Sequence, residues 1–304
     1  MTALLDRPVK LRTFAGVGLR RRVANSIATV LVTAAMALAL VPLVWVMYSV
    51  FDFGFGAVST SSWWTHSQAG MTAFVAGGGA YHAIIGTLLQ GLLCAAISIP
   101  IGIFVAIYLV EYGAGTRLGK LATFMVDILT GVPSIVAALF VYALWVATLG
   151  FHRSGFAVSL SLVLLMVPVI VRATEEMLRI IPMDLREASY ALGAPKWKTI
   201  TSIVIPTALS GIVTGILLAL ARVMGETAPL LILVGYSQAI NFDMFHGFMG
   251  SLPGMMYDQT SAGAGASAVP TDRLWGAALT LILLIALLNV AARFGARIFA
   301  PKKF

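Results

Sequence analysis

Charge is scarce in this chain. Only 11% of its 304 residues are Asp, Glu, Lys or Arg, against about 25% in an ordinary soluble domain, so there is too little polar surface to cover a water-facing globule. The single cysteine, Cys94, excludes an internal disulfide framework and a multi-cysteine metal site. It lies inside an apolar run and reads as a small packed side chain. The four histidines, His66, His82, His152 and His246, include no pair at metal-ligand spacing. No GxxxxGK segment followed by Ser or Thr occurs, so the chain lacks the phosphate-cradling loop with which a nucleotide would be hydrolysed. Basic residues outnumber acidic ones 20 to 12, for a net charge of +8 and a pI near 9.9. Nucleic-acid binding would need those bases gathered on one soluble face. They sit instead at the ends of apolar runs, and nucleic acid is not an expected partner.

What is abundant is apolar. Hydrophobic residues make up 60% of the chain and the mean hydropathy is +0.96. Six stretches, near 24–50, 82–110, 124–149, 156–178, 208–236 and 274–298, reach the roughly 20 residues that a helix needs to cross about 30 Å of hydrocarbon. The expected fold class is an all-α integral membrane protein of six transmembrane helices. The apolar run after Arg20, Arg21 and Arg22 continues to about Val50, beyond the roughly 7–15 residues of a signal-peptide core, and is expected to stay as the first span.

Orientation follows from Lys and Arg. Six fall in residues 1–22, two at Arg117 and Lys120, five in 172–207 and four after residue 292, while the alternate loops hold only Arg153 and Arg273. Positive residues face the cytoplasm. The expected organisation is a cytoplasmic arm (1–23), a six-span domain (24–298) and a cytoplasmic tail (299–304) in a plasma membrane, with lipid around the spans. The 51–81 and 237–273 loops mix aromatic residues with glycines. They read either as a headgroup-level cap or as a gate or docking surface for an external binding protein. The 261–268 stretch, SAGAGASA, reads as a linker.

Between the fourth and fifth spans lies a polar interruption, EASYALGAPKWKTITSIVIP at 187–206. Asp184 and Glu187 stand at capping-box spacing, which predicts a helix from about Leu185. Gly193 and Pro195 predict a stop and a restart. The second piece, with Trp197, Ile200 and Ile203 on one side, is expected to end at Pro206 and to lie along the membrane face.

Charges within spans need compensation, since an arginine at a helix centre costs roughly 2.5–3.5 kcal/mol to insert. Arg222 and Glu226 occur in ALARVMGETAPLL, a helical turn apart, and Arg172 occurs in PVIVRATEEML. Arg222 and Glu226 read either as a structural ion pair or as pathway groups, and Arg172 either as a pathway group or as a residue snorkelling to the headgroups. Glu175, Glu176, Arg179 and Asp184 read as a solvated patch, and Asp127 as a bond to a neighbouring helix. Gly211 and Gly215 make a small-residue face suited to close packing and to a subunit interface. Pro100, Pro133, Pro168 and Pro229 are expected to kink spans.

The spacing of Glu187, Ala188, Ser189, Gly193, Ile203 and Pro206 resembles the EAA loop of ABC-importer permeases, with Ser in place of the second Ala and Ile in place of a Leu. That resemblance implies a type I ABC-importer permease fold, with 184–206 as the loop that seats in an ATP-hydrolysing subunit. RVMGETAPLL at 222–231, LTGVPSIVAALF at 129–140 and the arginine of PVIVRATEEML are similar to the PstA-type phosphate permease family. This narrower resemblance implies that Arg172, Arg222, Glu226 and Thr227 line a phosphate route. It also implies four kinds of partner: a second homologous permease subunit (PstC-like), an ATP-binding subunit dimer carrying ATP and Mg (PstB-like), an extracytoplasmic phosphate-binding protein (PstS-like), and lipid. No cofactor is expected in this chain, which is read as a transport subunit and not an enzyme. The other functions weighed are a sulfate- or molybdate-type ABC permease, a proton-coupled secondary anion carrier and a purely structural membrane subunit.

Overall fold

The computed structural model describes residues 18–263 and 268–299, with side chains up to residue 294 in the last helix. Residues 1–17 of the expected arm, 264–267 of the Gly/Ala/Ser stretch and 300–304 of the expected tail lie outside the described residues. All regular structure among the described residues is helical.

The chain divides into two compact units at Ser49 and Val50. The described part of the first is the leading portion of α1 (Leu19–Val58), an apolar helix with Pro42 inside it. Among the described residues, the second unit holds the end of α1 and eleven further helices. They are α2 (Ser61–Thr65), α3 (Tyr81–Ile107), α4 (Arg117–Thr130), α5 (Ser134–Val141), α6 (Gly155–Ile180), α7 (Met183–Ala191), α8 (Lys196–Thr199), α9 (Ile205–Met224), α10 (Ala228–Leu233), α11 (Leu252–Ser261) and α12 (Ala268–Phe299). Wider π-helical turns continue α3 at Tyr108–Tyr112 and α5 at Tyr142–Thr148, and join α8 to α9 at Ile200–Val204.

Among the described residues, five helices are long and apolar enough to cross a membrane, and the bent pair α4 and α5 supplies a sixth crossing if counted as one. The expected six spans hold in that form, with two corrections. The third span is not a straight helix over 124–149, because α4 and the Ser134–Thr148 helix meet at 107°. Gly131 ends α4, and Pro133 in extended conformation offers no amide hydrogen while disfavouring helix at Val132 before it. The fifth span does not run unbroken over 208–236, since α9 stops at Met224 and α10 starts at Ala228. Pro229 would clash with the carbonyl of Gly225 in a continuous helix, and Gly225 caps the end of α9. Pro206 does not end its helix either. The π turn before it tolerates a residue without an amide hydrogen, and the span is helical from Lys196 to Met224.

The core lies where α3, α5, α6, α9 and α10 meet, around buried Cys94, Ala138, Val158, Met166, Ile170, Val223 and Leu233. As expected, Cys94 is packed, its Sγ facing Ser98 Oγ and Met166 Sδ. Glycine sets the approach of the helices. A Cβ on Gly102 of α3 would lie 2.5 Å from Ile170 Cγ2 on α6. The face at Gly211 and Gly215, expected at a subunit interface, is filled from within the chain: Cβ atoms there would come within 2.1 Å of Met177 Sδ and 2.5 Å of Ala173 Cβ, both on α6.

The end of the second unit where α3 begins is closed by segments 66–79 and 236–259, which form a built cap. Gln68, Met249, Leu252 and Met255 are buried there. His82 Nε2 and the Tyr236 hydroxyl share a hydrogen bond at 2.8 Å, and the backbone amide of Leu252 donates to Thr87 Oγ1 at 2.9 Å. His82 is therefore a buried residue of the first turn of α3, bonded to the cap. Arg273 donates to the carbonyls of Thr72, Val75 and Gly77.

The α6 and α9 contact yields a direct test. Gly215→Val should lower the thermal stability of the isolated chain in detergent by about 1–3 kcal/mol through overpacking. Ala173→Gly in the same chain should restore much of it, as followed by thermal unfolding of the monomer.

Candidate functional site

Three groups of side chains carry chemistry: a helical hairpin, a charged cluster on α6 and a helix break on the fifth span. The hairpin is α7 and α8. Its first helix begins at Met183, two residues before the expected Leu185, because Pro182 in extended conformation takes the capping position and no side chain caps it. Asp184 therefore lies in the first turn, where its charge still favours the helix N-terminus, and no capping box forms with Glu187. Gly193 turns the chain with φ +78°, and the amides of Gly193 and Ala194 donate to the carbonyls of Tyr190 and Ser189, closing α7 as expected.

Arg186 and Ser189, three apart, face inward, whereas Glu187 and Ala188 face outward. The Ser189 and Thr199 hydroxyls bond at 2.8 Å in a buried position, so the serine that replaces an alanine of the EAA pattern ties α7 to α8. Outside, Leu192 is 89% and Trp197 63% exposed. Ile200 is buried and does not share a face with Trp197, while Ile203 is half-buried. Large exposed apolar side chains beside Glu187 and the lysines Lys196 and Lys198 make a surface suited to a protein partner.

Sequence reasoning missed what holds this hairpin. Arg186, counted only among the orienting charges, is buried and binds Glu111 at 3.0 Å. Glu111 lies 75 residues earlier; no local pattern marks such a pair, although an acidic residue ending an apolar run is a faint signal.

On α6, Arg172 binds Asp127 of α4 and, at 2.7 Å, Glu175. Arg179 binds the other oxygen of Glu175 at 2.6 Å. Asp127 thus bonds a neighbouring helix, as expected. Glu175, expected in a solvated patch, is buried with its side chain only 5% exposed, and it can be so because two guanidinium groups neutralise it. An anion binding Arg172 would have to compete with these two carboxylates for its guanidinium.

The break on the fifth span presents the remaining residues. Arg222 is exposed in the last turn of α9, Glu226 and Thr227 are half-exposed in the connection, and no side-chain bond is made by any of the three among the described residues. The expected relation of Arg222 and Glu226, one turn apart on one helix face, does not occur, because the helix ends at Met224. Reading them as a mutually quenched ion pair is overturned with it. Among the described residues, no hydrogen bond or ion pair joins Arg172 to this break. Yet one continuous helix, Lys196–Met224, joins the hairpin to Arg222.

Comparisons place the chain. Residues 98–304 match the family model described as binding-protein-dependent transport system inner membrane component. The phosphate transport system permease protein PstA 1 of Mycobacterium tuberculosis H37Rv is 56% identical over 95% of this chain and 92% of its own length. The PstA proteins of Mycobacterium leprae, 54% identical over 96% of this chain and 94% of theirs, and of Yersinia pestis, 40% identical over 93% and 92%, are similar as well. Among solved structures, a bacterial ABC transporter involved in import of the acidic polysaccharide alginate superposes with a TM-score of 0.58 over 92% of this chain and all of that one, at 15% identity. An inward-facing MetNI methionine ABC transporter gives 0.56 over 73% and 95%, at 21% identity. The fold is that of type I ABC-importer permeases, and the chain is a multi-pass inner-membrane protein. It belongs to the binding-protein-dependent transport system inner membrane components, and within them to the PstA-type phosphate transport system permeases.

Proposed function

We propose that this permease subunit forms half of the membrane route of an ATP-driven importer of inorganic phosphate, with Arg222, Glu226 and Thr227 lining that route. The observation that carries the reading is the break at 225–227, which leaves a guanidinium, a carboxylate and a hydroxyl without side-chain partners on an otherwise apolar span. A guanidinium offers a tetrahedral oxyanion several directed donors, which a lysine ammonium does not. Monohydrogen phosphate still carries a proton that Glu226 accepts, whereas sulfate carries none and meets only repulsion there. Arg172 joins the route when its contact with Asp127 opens.

The hairpin end faces the cytoplasm, with both chain termini on that side, and an ATP-binding subunit dimer carrying ATP and Mg seats Glu187, Ala188, Leu192 and Trp197. A second, homologous permease completes the route, and an extracytoplasmic phosphate-binding protein delivers the substrate over the capped end. Closure of the ATP-binding pair displaces the hairpin, and the Lys196–Met224 helix conveys that displacement to Arg222, 26 residues or about 40 Å along the helix.

The assembled complex in proteoliposomes tests this reading. Phosphate-dependent ATP hydrolysis and uptake of labelled phosphate are expected, and a complex driven by a proton gradient without ATP would overturn it. Arg222→Gln should cut uptake at least about tenfold, as loss of a charge-assisted contact of about 1.5–3 kcal/mol implies. Glu226→Gln should weaken the discrimination between phosphate and sulfate, read as competition by sulfate during uptake. Replacing Leu192 and Trp197 by Asp should abolish copurification of the ATP-binding subunits while leaving the isolated chain folded.

A further inference from the structure

The hairpin is covalently continuous with α6 and, through the π turn, with α9, but it grips a third helix with equal care. Arg186 on α7 donates to Glu111 Oε1 from Nε at 3.2 Å and from Nη2 at 3.0 Å. The same guanidinium donates from Nη1 to the carbonyl of Ile181 at 2.8 Å and from Nη2 to that of Leu178 at 3.0 Å. One side chain therefore closes carbonyls left open at the end of α6 and binds the carboxylate at the end of α3. The two side chains are 7% and 6% exposed. The other arm of the hairpin reaches the same place. Lys196 of α8 donates to the backbone carbonyl of Glu111 and stands 4.7 Å over the ring of Tyr112.

We propose that Arg186 and Glu111 form a coupling latch that makes α3 move with the 184–206 hairpin, so that work delivered there reaches a helix that does not adjoin it in the chain. The inference deepens the reading above and rests on it, since it requires an ATPase seated on the hairpin. Separating the pair would leave a carboxylate and a guanidinium unpaired in a dry site, so the latch stays closed while the hairpin is displaced. A lysine at 186 would be a single point charge and would not span the carboxylate and both carbonyls. Farther along, α3 is clasped to α6 at Gly102, and its first turns are bonded to the cap at the opposite end through His82 with Tyr236 and Thr87 with Leu252. The latch thus makes α3 the strut between the hairpin and the cap.

The test is the number of phosphate ions moved per ATP hydrolysed by the complete reconstituted complex. Arg186→Met with Glu111→Leu replaces the pair by apolar groups of similar size, which buried ion pairs commonly tolerate. Expected is ATP hydrolysis within about twofold of the unaltered complex and a fall of about fivefold or more in phosphate moved per ATP, the size of an ordinary coupling between sites. Glu111→Gln keeps the shape and an acceptor but removes the charge, and it decides the matter on the same ratio if the double variant does not assemble. An unchanged ratio, or hydrolysis and transport falling in equal proportion, would overturn the latch. If the unaltered complex fails to couple phosphate to ATP, the underlying reading falls and takes the latch with it, an outcome seen before any variant is made.

Discussion

A backbone amide or carbonyl without a partner in hydrocarbon costs several kcal/mol, and this constraint governs where the chain can be anything but helix. The two interruptions at membrane depth, Gly131 to Pro133 and Gly225 to Thr227, are therefore expensive unless protein covers them or water reaches them. Around the second, the side of the fifth span bearing Arg222 is open in the single chain. In the proposed importer, a second subunit and a hydrated route would together satisfy what the isolated chain leaves open. The break and the exposed arginine are thus one feature with one cause.

At the hairpin end the constraint is met differently. Carboxylates there are buried against guanidinium groups that neutralise them: Glu175 between Arg172 and Arg179, and Glu111 beneath Arg186. Such groups contribute little net stability compared with apolar substitutes, but they resist being pulled apart and fix which helix lies against which. Geometry is their contribution. The proposed lever needs joints that do not slip, and directed bonds between α3, α6 and α7 would serve that need better than greasy contact.

Much of this was readable from residues alone. Long apolar runs gave the spans, since hydrocarbon admits few other solutions, and Gly193 with Pro195 gave the hairpin because a left-handed turn there costs only glycine little. What escaped was of two kinds. Local signals at Pro133, Pro206 and Pro229 are alike, yet the structure answers with a 107° bend, an unbroken helix and a full break. The difference lies in what surrounds each proline: a glycine two residues before, a wide turn before, or a glycine four residues before. The second kind is distance in sequence. Glu111 and Arg186 are remote partners, Glu175 owes its burial to two arginines, and Gly215 faces Ala173 of its own chain. Only the folded neighbourhood reveals such pairs.

The wide turn at Ile200–Val204 stores one residue more than an α-helical turn of the same rise. Everything after it is consequently rotated by about 100° with respect to an uninterrupted helix. Winding that turn into α-helix without removing a residue would leave the rod intact and its composition unchanged, yet would swing the guanidinium of Arg222 more than a quarter of the way around the axis. The compass bearing of that exposed charge is thus set far from it, by a spare residue beside the hairpin.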